Sequence, residues 1–345
     1  MKKRWLVGSA LVLGAVSLSA CGGNGDDGNT EASGDGNGNG NGEETYTLAI
    51  GHTLADTSHY QEALLEFQDM IEERSDGRIE VELFPDSALG GERDMIESVQ
   101  LGNQEMVLTS TGPMSGFAEE VTVVDLPFLF RDHDHAHGVL DGEIGQELLE
   151  KLEPTGLIGL AWWENGFRHV TNSDGPVETP EDLAGLSLRT MENDIHMDAF
   201  RAMDADPTPM AFGELFTALQ QGVVDGQENP IPVIQTSRFY EVQDYLSLTG
   251  HVYNPSILVI SEEVYNSMPE DLQEILREVA QEGAELEREI VQRMEEEYIE
   301  SLEDEGMEII EDVELEPFID AVQPVYDKYS DVFGEDLIES IQNHE

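Results

Sequence analysis

Two arginines stand out among the residues that could do chemistry, because they lie beside apolar segments rather than among acids. Arg189 ends the apolar segment 186–188, and Arg168 lies in the aromatic segment 162–170. A guanidinium at the mouth of a buried strand needs an anionic partner, and its planar fork matches a carboxylate with two hydrogen bonds. That partner is either a carboxylate of the protein or a bound ligand. The residues alone favour neither.

A second group, residues 132–137, alternates acids and histidines in the order Asp-His-Asp-His-Ala-His. On a helix, His133 and His137 would share a face while His135 would point away. A calcium loop beginning at residue 132 would lack the glycine at its sixth position and the ligand at its fifth. We therefore interpret the segment as a solvated loop and helix start, and expect no metal site.

The chain carries none of the short motifs that indicate a catalytic centre. Its sequence has no nucleophile elbow, phosphate-binding loop, zinc-protease motif or dinucleotide fingerprint. The single cysteine, Cys21, lies at the end of an N-terminal apolar run, so a thiol enzyme is excluded and no disulfide can form within the chain. A carboxylate pair would carry no information among 74 acidic residues. We expect no enzymatic activity and no cofactor.

These residues must be positioned by an alternation of strands and helices, which predicts an α/β fold. Apolar runs and period-two patterns predict strands at 46–51, 79–83, 106–108, 157–163, 167–171, 186–189 and 256–260. Helical periodicity predicts helices near 58–74, 91–101, 212–222 and 269–303. The last would be about 50 Å long. Because that exceeds one small domain, we expect it to cross between two lobes.

The N-terminus has the pattern of an export signal. Residues 1–20 combine a positive start, an apolar run that is short for a membrane span, and small residues before Cys21. The pattern resembles the lipobox of bacterial lipoproteins, in which the cysteine is lipidated and becomes the first residue. An ordinary signal peptide with a coincidental cysteine is the alternative. Residues 21–44 are rich in Gly, Asn, Asp and Glu, which predicts a disordered tether between lipid and domain.

The charge balance is extreme, with 74 acidic residues, 16 basic residues and a formal net charge of −58. Such a surface repels nucleic acid and anionic lipid, so we exclude both as partners. A hydrophobic content of 39% shows that an apolar core is still available. Together these features indicate folding in strong salt, where a Debye length of about 3 Å at 1 M screens self-repulsion. An acidic disordered protein is disfavoured by the apolar periodicity from residue 45 onward.

Six segments together resemble the solute-binding proteins of TRAP transporters of the DctP type. They follow one another in the family's order between about residues 45 and 340, at 89–93, 165–168, 186–189, 207–212, 218–230 and 239–243. Residues 225–230, Asp-Gly-Gln-Glu-Asn-Pro, are the most specific of them.

The resemblance implies a two-lobed periplasmic-binding-protein (flytrap) fold with a hinge and a long helix spanning both lobes. Lobe I would comprise residues 45–165 and 255–295, and lobe II residues 166–254 and 296–345. The protein would be the extracytoplasmic solute-binding component of a tripartite ATP-independent (TRAP) transporter. It would close around a small organic anion and deliver it to the membrane permease subunits. We expect a monomer held to the outer face of the cytoplasmic membrane by its lipid alone.

The resemblance also implies a ligand site made by six residues: Arg189, Arg168, Asn229, Phe212, Thr53 and Ser110. Arg189 would clamp the ligand carboxylate with help from Arg168 and Asn229, and Phe212 would stack on the ligand body. Thr53 and the loop at Ser110 would close over the other end from the first lobe. On the residues alone, core packing of Phe212 and helix capping by Asn229 stay open as alternatives.

The ligand class is inferred from a position where this sequence differs from some members of the family. Ser110 stands where some relatives place a carboxylate for polyhydroxylated or aminated ligands, so a C4-dicarboxylate is the first choice. A sugar acid or keto acid is the alternative, and ectoine would require an aromatic box beyond Phe212. From other classes, a ligand sensor would pass its closed form to a receptor, and an extracellular lyase or hydrolase would use Arg189 to orient a substrate.

Overall fold

A mixed nine-stranded sheet forms the centre of the protein in a computed structural model that describes residues 44–344. The strands are β1 (Tyr46–Gly51), β2 (Ile79–Phe84), β3 (Met106–Ser110), β4 (Leu157–Asn172), β5 (Ser187–Thr190), β6 (Asp206–Pro209), β7 (Gly226–Pro230), β8 (Tyr245–Ser261) and β9 (Glu308–Ile310). Their order is β2-β1-β3-β8-β4-β7-β5-β6, with β9 beside β8. The predicted signal segment, Cys21 and almost all of the predicted tether lie outside the described residues.

Helices cover both faces of the sheet. They are α1 (His59–Arg74), α2 (Glu92–Gln100), α3 (His133–Asp141), α4 (Glu143–Glu150), α5 (Asp194–Ala202), α6 (Phe212–Gln220), α7 (Ile231–Thr236), α8 (Glu262–Ser267), α9 (Glu270–Asp304), α10 (Leu315–Ala321), α11 (Gln323–Phe333) and α12 (Glu335–Gln342). Short 3₁₀ helices lie at Gly112–Gly116, Glu119–Asp125, Glu153–Thr155, Pro180–Leu183 and Phe239–Glu241. Side-chain caps start α1 at Ser58 and α3 at Asp132, since each oxygen accepts a bond from a backbone N–H of the first turn.

The two long strands β4 and β8 join the two halves of the sheet. The prediction of separate strands at 157–163 and 167–171 is wrong, because β4 runs through both and pairs with β8 along its length. A register shift between Glu164 and Gly166 interrupts the apolar pattern. Gly166 has φ +116°, and a β-carbon there would lie 3.1 Å from Cβ of Pro230. Glycine is therefore required where the strand bends.

Two apolar cores lie on opposite faces of the sheet. Successive residues of β8 alternate between them: Ile257 and Val259 belong to one core, and Leu258 and Ile260 to the other. The first core is completed by helices that include α2 to α5 and α10 to α12, and the second by α1, α6, α7 and α9.

The long helix α9 confirms the prediction from periodicity, with 35 residues between Glu270 and Asp304. It packs on β4, α1, α7 and β9, and so reaches elements of both halves of the sheet. The indole N–H of Trp163 on β4 donates to the carbonyl of Ala280 at 3.0 Å. Gly283 allows this approach, because a β-carbon there would lie 2.8 Å from the Trp163 ring. Within residues 44–344, no helix is long and apolar enough to cross a membrane.

Candidate functional site

All six residues predicted to bind a ligand line one small cavity, with an empty volume of about 280 Å³. Its lining residues are Thr53, Leu54, Tyr60, Glu92, Ser110, Asn165, Arg168, Arg189, Met191, Phe212 and Asn229. They come from the loop after β1, α1, α2 and β3 on one side, and from β5, the residue after it, α6 and β7 on the other, with β4 between.

Arg189 brings a positive charge into this cavity from β5. It is 2% exposed, and its Nε and Nη2 donate to the carbonyl oxygen of Met210 at 2.9 and 2.7 Å. Its Nη1 has no hydrogen-bond partner among the described residues, and no carboxylate in that part of the chain forms a salt bridge with it. Burial lowers the pKa of Arg189 to about 10, so the group is still protonated at neutral pH. Within the described residues, Arg189 therefore has one nitrogen, Nη1, that can donate hydrogen bonds to a ligand, and its side chain carries a positive charge.

Arg168, on β4, is already occupied by the protein. Its Nε and Nη2 form a two-point pair with the carboxylate of Glu228, and its Nη2 also donates to the Glu228 carbonyl at 2.6 Å and to Asn229 Oδ1 at 3.1 Å. Its Nη1 donates to Asn254 Oδ1 at 3.2 Å. Burial would raise the pKa of Glu228, but the charge of Arg168 and a bond from His251 hold it well below its usual range.

Pairing of β4 with β7 explains why Arg168 meets these partners. The antiparallel register sets Arg168 opposite Pro230 and His169 opposite Asn229. Asn229 lies in β7, and the residue that caps the following helix is Pro230. The alternative that Asn229 caps a helix is therefore wrong. Its amide N–H donates to Gln227 Oε1, so both ends of the Asn229 side chain have protein partners.

Phe212, the first residue of α6, is half-buried beside the cavity. Its ring centroid lies 5.9 Å from Cζ of Arg189 and 6.2 Å from the ring of Phe239. The ring therefore lies between the arginine and an aromatic neighbour and presents an apolar wall to the cavity. Met191, just after β5, forms a second such wall.

The end of the cavity that Ser110 lines carries a carboxylate that sequence reasoning missed. Glu92 begins α2, and its Oε1 accepts bonds from the backbone N–H of Ser110 at 2.8 Å and from its hydroxyl at 2.6 Å. Thr109 also donates its hydroxyl to the same oxygen, at 3.2 Å. Because the chain contains 74 acidic residues, nothing in the sequence distinguishes Glu92 from the others. The only signal was the position of Glu92 in the family-like segment 89–93.

Two other lining residues carry a buried polar atom that lacks a well-aligned hydrogen bond in residues 44–344: Tyr60 at its hydroxyl, which lies near that of Ser256, and Asn165 at Oδ1. Burial raises the pKa of Tyr60 well above its usual range, so the phenol keeps its proton. Buried polar atoms are almost always hydrogen-bonded. Together with Nη1 of Arg189, these atoms form a set of donors and acceptors suited to a small polar anion. Neither Tyr60 nor Asn165 was singled out from the sequence.

The helix start predicted in 132–137 is confirmed, since α3 begins at His133 with Asp132 as its cap, but the prediction of a solvated loop is wrong. His133 and His137 lie on α3, are 24% and 17% exposed, and turn inward toward the fully buried Glu164. His135 is buried on another side, where its Nε2 lies 2.8 Å from the carbonyl of Ile341. The shared face of His133 and His137 agrees with the helical spacing.

Comparison with known proteins gives a consistent result. The family model of bacterial extracellular solute-binding proteins, family 7 (DctP), matches residues 50–331. A solute-binding protein of Verminephrobacter eiseniae is 42% identical over 297 residues, which are 86% of this chain and 89% of that protein. The 2,3-diketo-L-gulonate-binding periplasmic protein YiaO of Escherichia coli is 40% identical over 245 residues, 71% of this chain and 75% of YiaO. The C4-dicarboxylate-binding protein DctB of Bacillus subtilis is 31% identical over 302 residues, 87% of this chain and 86% of DctB.

Solved structures agree in fold. A TRAP periplasmic solute-binding protein from Polaromonas sp. JS666, bound to D-erythronate, is 50% identical with a TM-score of 0.86 and covers 87% of this chain and 99% of its own. The sugar-acid-binding protein DctPAm from Advenella mimigardefordensis, in complex with galactonate, is 35% identical with a TM-score of 0.84 and covers 87% of this chain and 98% of its own.

Proposed function

Because this chain belongs to family 7 of the bacterial extracellular solute-binding proteins, the DctP family of TRAP systems, we propose that it binds a small hydroxylated monocarboxylate of the sugar-acid class. It is a periplasmic or extracellular component of a transporter for small organic acids and not an enzyme. The TRAP system implies membrane permease subunits as its partners.

The observation that carries the ligand proposal is the opposite charge of two cavity residues. Arg189 lines the cavity from β5 with a cation that, in the described part of the chain, no carboxylate pairs. Glu92 lines it from the start of α2 with a carboxylate. A ligand carboxylate suits Arg189, whereas hydroxyl groups, which donate hydrogen bonds, suit Glu92.

A second ligand carboxylate beside Glu92 would be repelled. Two like charges 4 Å apart cost about 4 kcal/mol at an effective dielectric constant of about 20. The preference for a C4-dicarboxylate rested on the missing carboxylate at Ser110, but Glu92 supplies one there by hydrogen bonding to that residue. The relatives bound to D-erythronate and galactonate, and YiaO, named for diketogulonate, also favour the sugar-acid alternative over the dicarboxylate reading supported by DctB.

In this proposal the six predicted residues divide into three pairs. Arg189 binds the ligand carboxylate and Phe212 packs against the carbon chain. Ser110 and Thr53 act near Glu92, where Ser110 holds the Glu92 carboxylate in place. Arg168 and Asn229 support the site from β4 and β7, because their polar groups are bonded to each other and to neighbouring protein atoms.

We further propose that the cavity opens and closes by movement of two lobes, residues 45–165 with 255–295 and residues 166–254 with 296–345. The cavity lining supports this division, since Glu92 and Ser110 come from the first set and Arg189 and Phe212 from the second. A ligand that touches both sets contacts all its partners only in the closed state, so binding shifts the equilibrium toward closure.

The test compares two four-carbon acids, D-erythronate and succinate, by isothermal titration calorimetry in molar salt. Both carry a carboxylate for Arg189, but only succinate brings a second one toward Glu92. We expect D-erythronate to bind at least about tenfold more tightly, a difference of about 1.4 kcal/mol. Tighter binding of succinate would favour a C4-dicarboxylate as the ligand. If D-erythronate, succinate and galactonate all failed to bind, the proposed ligand site would be refuted.

Two further parts of the proposal rest on the sequence. Lipidation of Cys21 would hold the protein at the outer face of the membrane, and a Cys21→Ser variant is expected to appear in the medium or periplasm instead of the membrane fraction.

The acidic surface would require salt, so the melting temperature is expected to rise as salt is increased toward about 1 M. A melting temperature that falls with salt would remove the halophilic interpretation.

A further inference from the structure

A cluster of two histidines and a carboxylate lies outside the ligand cavity, between α3 and β4. His133 and His137 are one helical turn apart, so their rings lie on one face of α3. His133 Nδ1 lies 2.7 Å from Oε1 of Glu164, and His137 Nε2 lies 2.7 Å from Oε2 of the same carboxylate. One ligand atom from each of the three residues falls within 4.8 Å of the others.

Glu164 is a buried carboxylate that meets both histidines. Its side chain is 0% exposed. Oε2 is hydrogen-bonded to Nε2 of His137 at 2.7 Å, and Oε1 forms an ion pair with Nδ1 of His133 at the same distance. A buried charge is costly unless it is paired or coordinates a metal. Two imidazole nitrogens and a carboxylate around one point can therefore hold either a proton-mediated ion pair or a metal ion.

Glu295 on α9 completes the arrangement from the other side of His133. Its Oε2 lies 3.3 Å from His133 Nε2, so it can accept the proton of that nitrogen while Nδ1 faces Glu164. A histidine that binds a metal through one ring nitrogen almost always donates its other N–H to a carboxylate or carbonyl, which fixes the tautomer and the ring. Glu295 stands in that supporting position.

We propose that His133 Nδ1, His137 Nε2 and the Glu164 carboxylate bind a divalent transition-metal ion of the Zn²⁺ type. Two imidazoles and one carboxylate suit such ions, whereas Ca²⁺ and Mg²⁺ take oxygen ligands. Histidines at i and i+4 of a helix are a common way to present two of the ligands. The site departs from the sequence-based expectation of no metal, because Glu164 is 27 residues from His137 and no local spacing connects them.

The ligand atoms would have to move to admit an ion, since two pairs lie 2.7 Å apart and all of them lie within 4.8 Å of one another. Metal–ligand bonds of about 2.0–2.2 Å set tetrahedral ligand atoms roughly 3.3 Å apart. The two contacts of 2.7 Å would therefore widen by a few tenths of an ångström to admit the ion. The rings of Phe167 and Tyr253 lie 5.0 and 6.0 Å from that of His133 and flank the cluster on one side.

An entry path is also present. A groove lined by His133, Phe167, Glu295 and Ile299 leads from the surface to the cluster. Water from this groove can occupy the fourth position of the metal. The ion would join α3 to β4 next to Asn165, a residue of the ligand cavity, and would thereby brace one wall of that cavity.

The test titrates the untagged full-length chain, stripped of metal with EDTA, with Zn²⁺ and Co²⁺. A background of Mg²⁺ in excess blocks weak binding to the acidic surface. We expect one Zn²⁺ per chain by calorimetry, a melting temperature raised by several degrees, and visible absorption bands of four-coordinate Co²⁺. His133→Ala and His137→Ala are expected to abolish this uptake, and Glu295→Gln to weaken it by about 10–100-fold.

Matched controls are Asp134→Asn, an exposed acid on the same helix, and His344→Gln, a histidine outside the cluster. Both are expected to bind metal as the unmodified chain does. Glu164→Gln keeps the side-chain shape, so it tests the site if an alanine variant fails to fold. Absence of stoichiometric uptake, or uptake unchanged in His137→Ala and Glu164→Gln, would show that the cluster is an ion pair between histidines and Glu164 and would overturn the proposal.

Discussion

Arg168 and Arg189 are both buried, both lie on strands and both line the same cavity, yet they differ in what surrounds them. Arg168 meets a carboxylate, a backbone carbonyl and two amide oxygens. Arg189 meets one backbone carbonyl, and within the described residues its Nη1 has no partner. The first arginine is part of the protein's own polar network, and the unpaired nitrogen of the second supports the proposal that it binds a ligand.

This difference shows that burial alone does not identify which charged side chain binds a ligand. A buried charge is costly unless it is paired, so an arginine that lacks an internal carboxylate indicates an anion that comes from outside. The same argument separates a site that binds from the neighbouring network that holds it in shape. The following changes test this division.

Replacing Arg189 by Met is expected to have the largest effect on ligand binding. Two charge-assisted hydrogen bonds of about 1.5–3 kcal/mol each are lost, so the affinity for D-erythronate should fall by at least about 100-fold. Calorimetric titration measures this change. Arg201→Met, which removes an exposed arginine paired with Asp198, is the control and should bind normally. Full affinity in Arg189→Met would refute the division between the two arginines.

Replacing Arg168 by Met should act on stability. The free energy of unfolding is expected to fall by about 3–5 kcal/mol, because Glu228 stays buried without its main partner. Urea unfolding measures the loss. In the double variant Arg168→Met, Glu228→Leu, apolar side chains replace the pair, so most of the stability should return. A double variant as unstable as the single one would mean that the buried charge was not the cause.

Glu92→Gln should change selectivity more than affinity. Removal of the negative charge is expected to raise the affinity for succinate relative to D-erythronate by about tenfold, equivalent to about 1.4 kcal/mol. Competition titration of both acids measures the ratio. Glu97→Gln, an exposed acid further along α2, is the control. An unchanged ratio would remove Glu92 from the account of specificity.

The smallest expected effect is on the pH dependence of the free energy of unfolding, which should reflect the pairing of Glu228 with Arg168. The folded-state pKa of Glu228 is held well below its ordinary value of 4.5, so its pairing stabilises the fold above pH 4.5 and is lost as the pH falls below it. The stability advantage over Glu228→Gln should be constant above about pH 5 and shrink below it by up to about 1.4 kcal/mol per pH unit. A constant difference down to pH 3 would contradict the assigned pKa shift.

Features with a local signature were predicted well. The periodicity of α9 and the alternation of β2 depend on side chains a few residues apart, and the structure confirms both within about a residue of the predicted ends. The two parts of β4 were taken for separate strands because the pattern breaks at Glu164–Gly166. Only pairing with β8 shows that the strand continues across the register shift.

Features that depend on distant residues were missed. Glu92 and Ser110 are 18 residues apart, and Glu164 and His137 are 27 apart. In a chain with 74 acids, nothing local distinguishes a carboxylate that faces a cavity or a histidine from one that faces solvent. The place of Tyr60 in the cavity was likewise not predicted, because its position in α1 fits an ordinary helical pattern.

The sequence by itself determined the α/β class, the family and six of the eleven residues that line the cavity, because short-range patterns and motifs record strands, helices and characteristic segments. The tertiary structure decided which arginine is neutralised and where a carboxylate opposes the other. Arg168 meets Glu228 across 60 residues of chain. Electrostatic pairing depends on distance in space, and that distance exists only once β4 and β7 lie side by side.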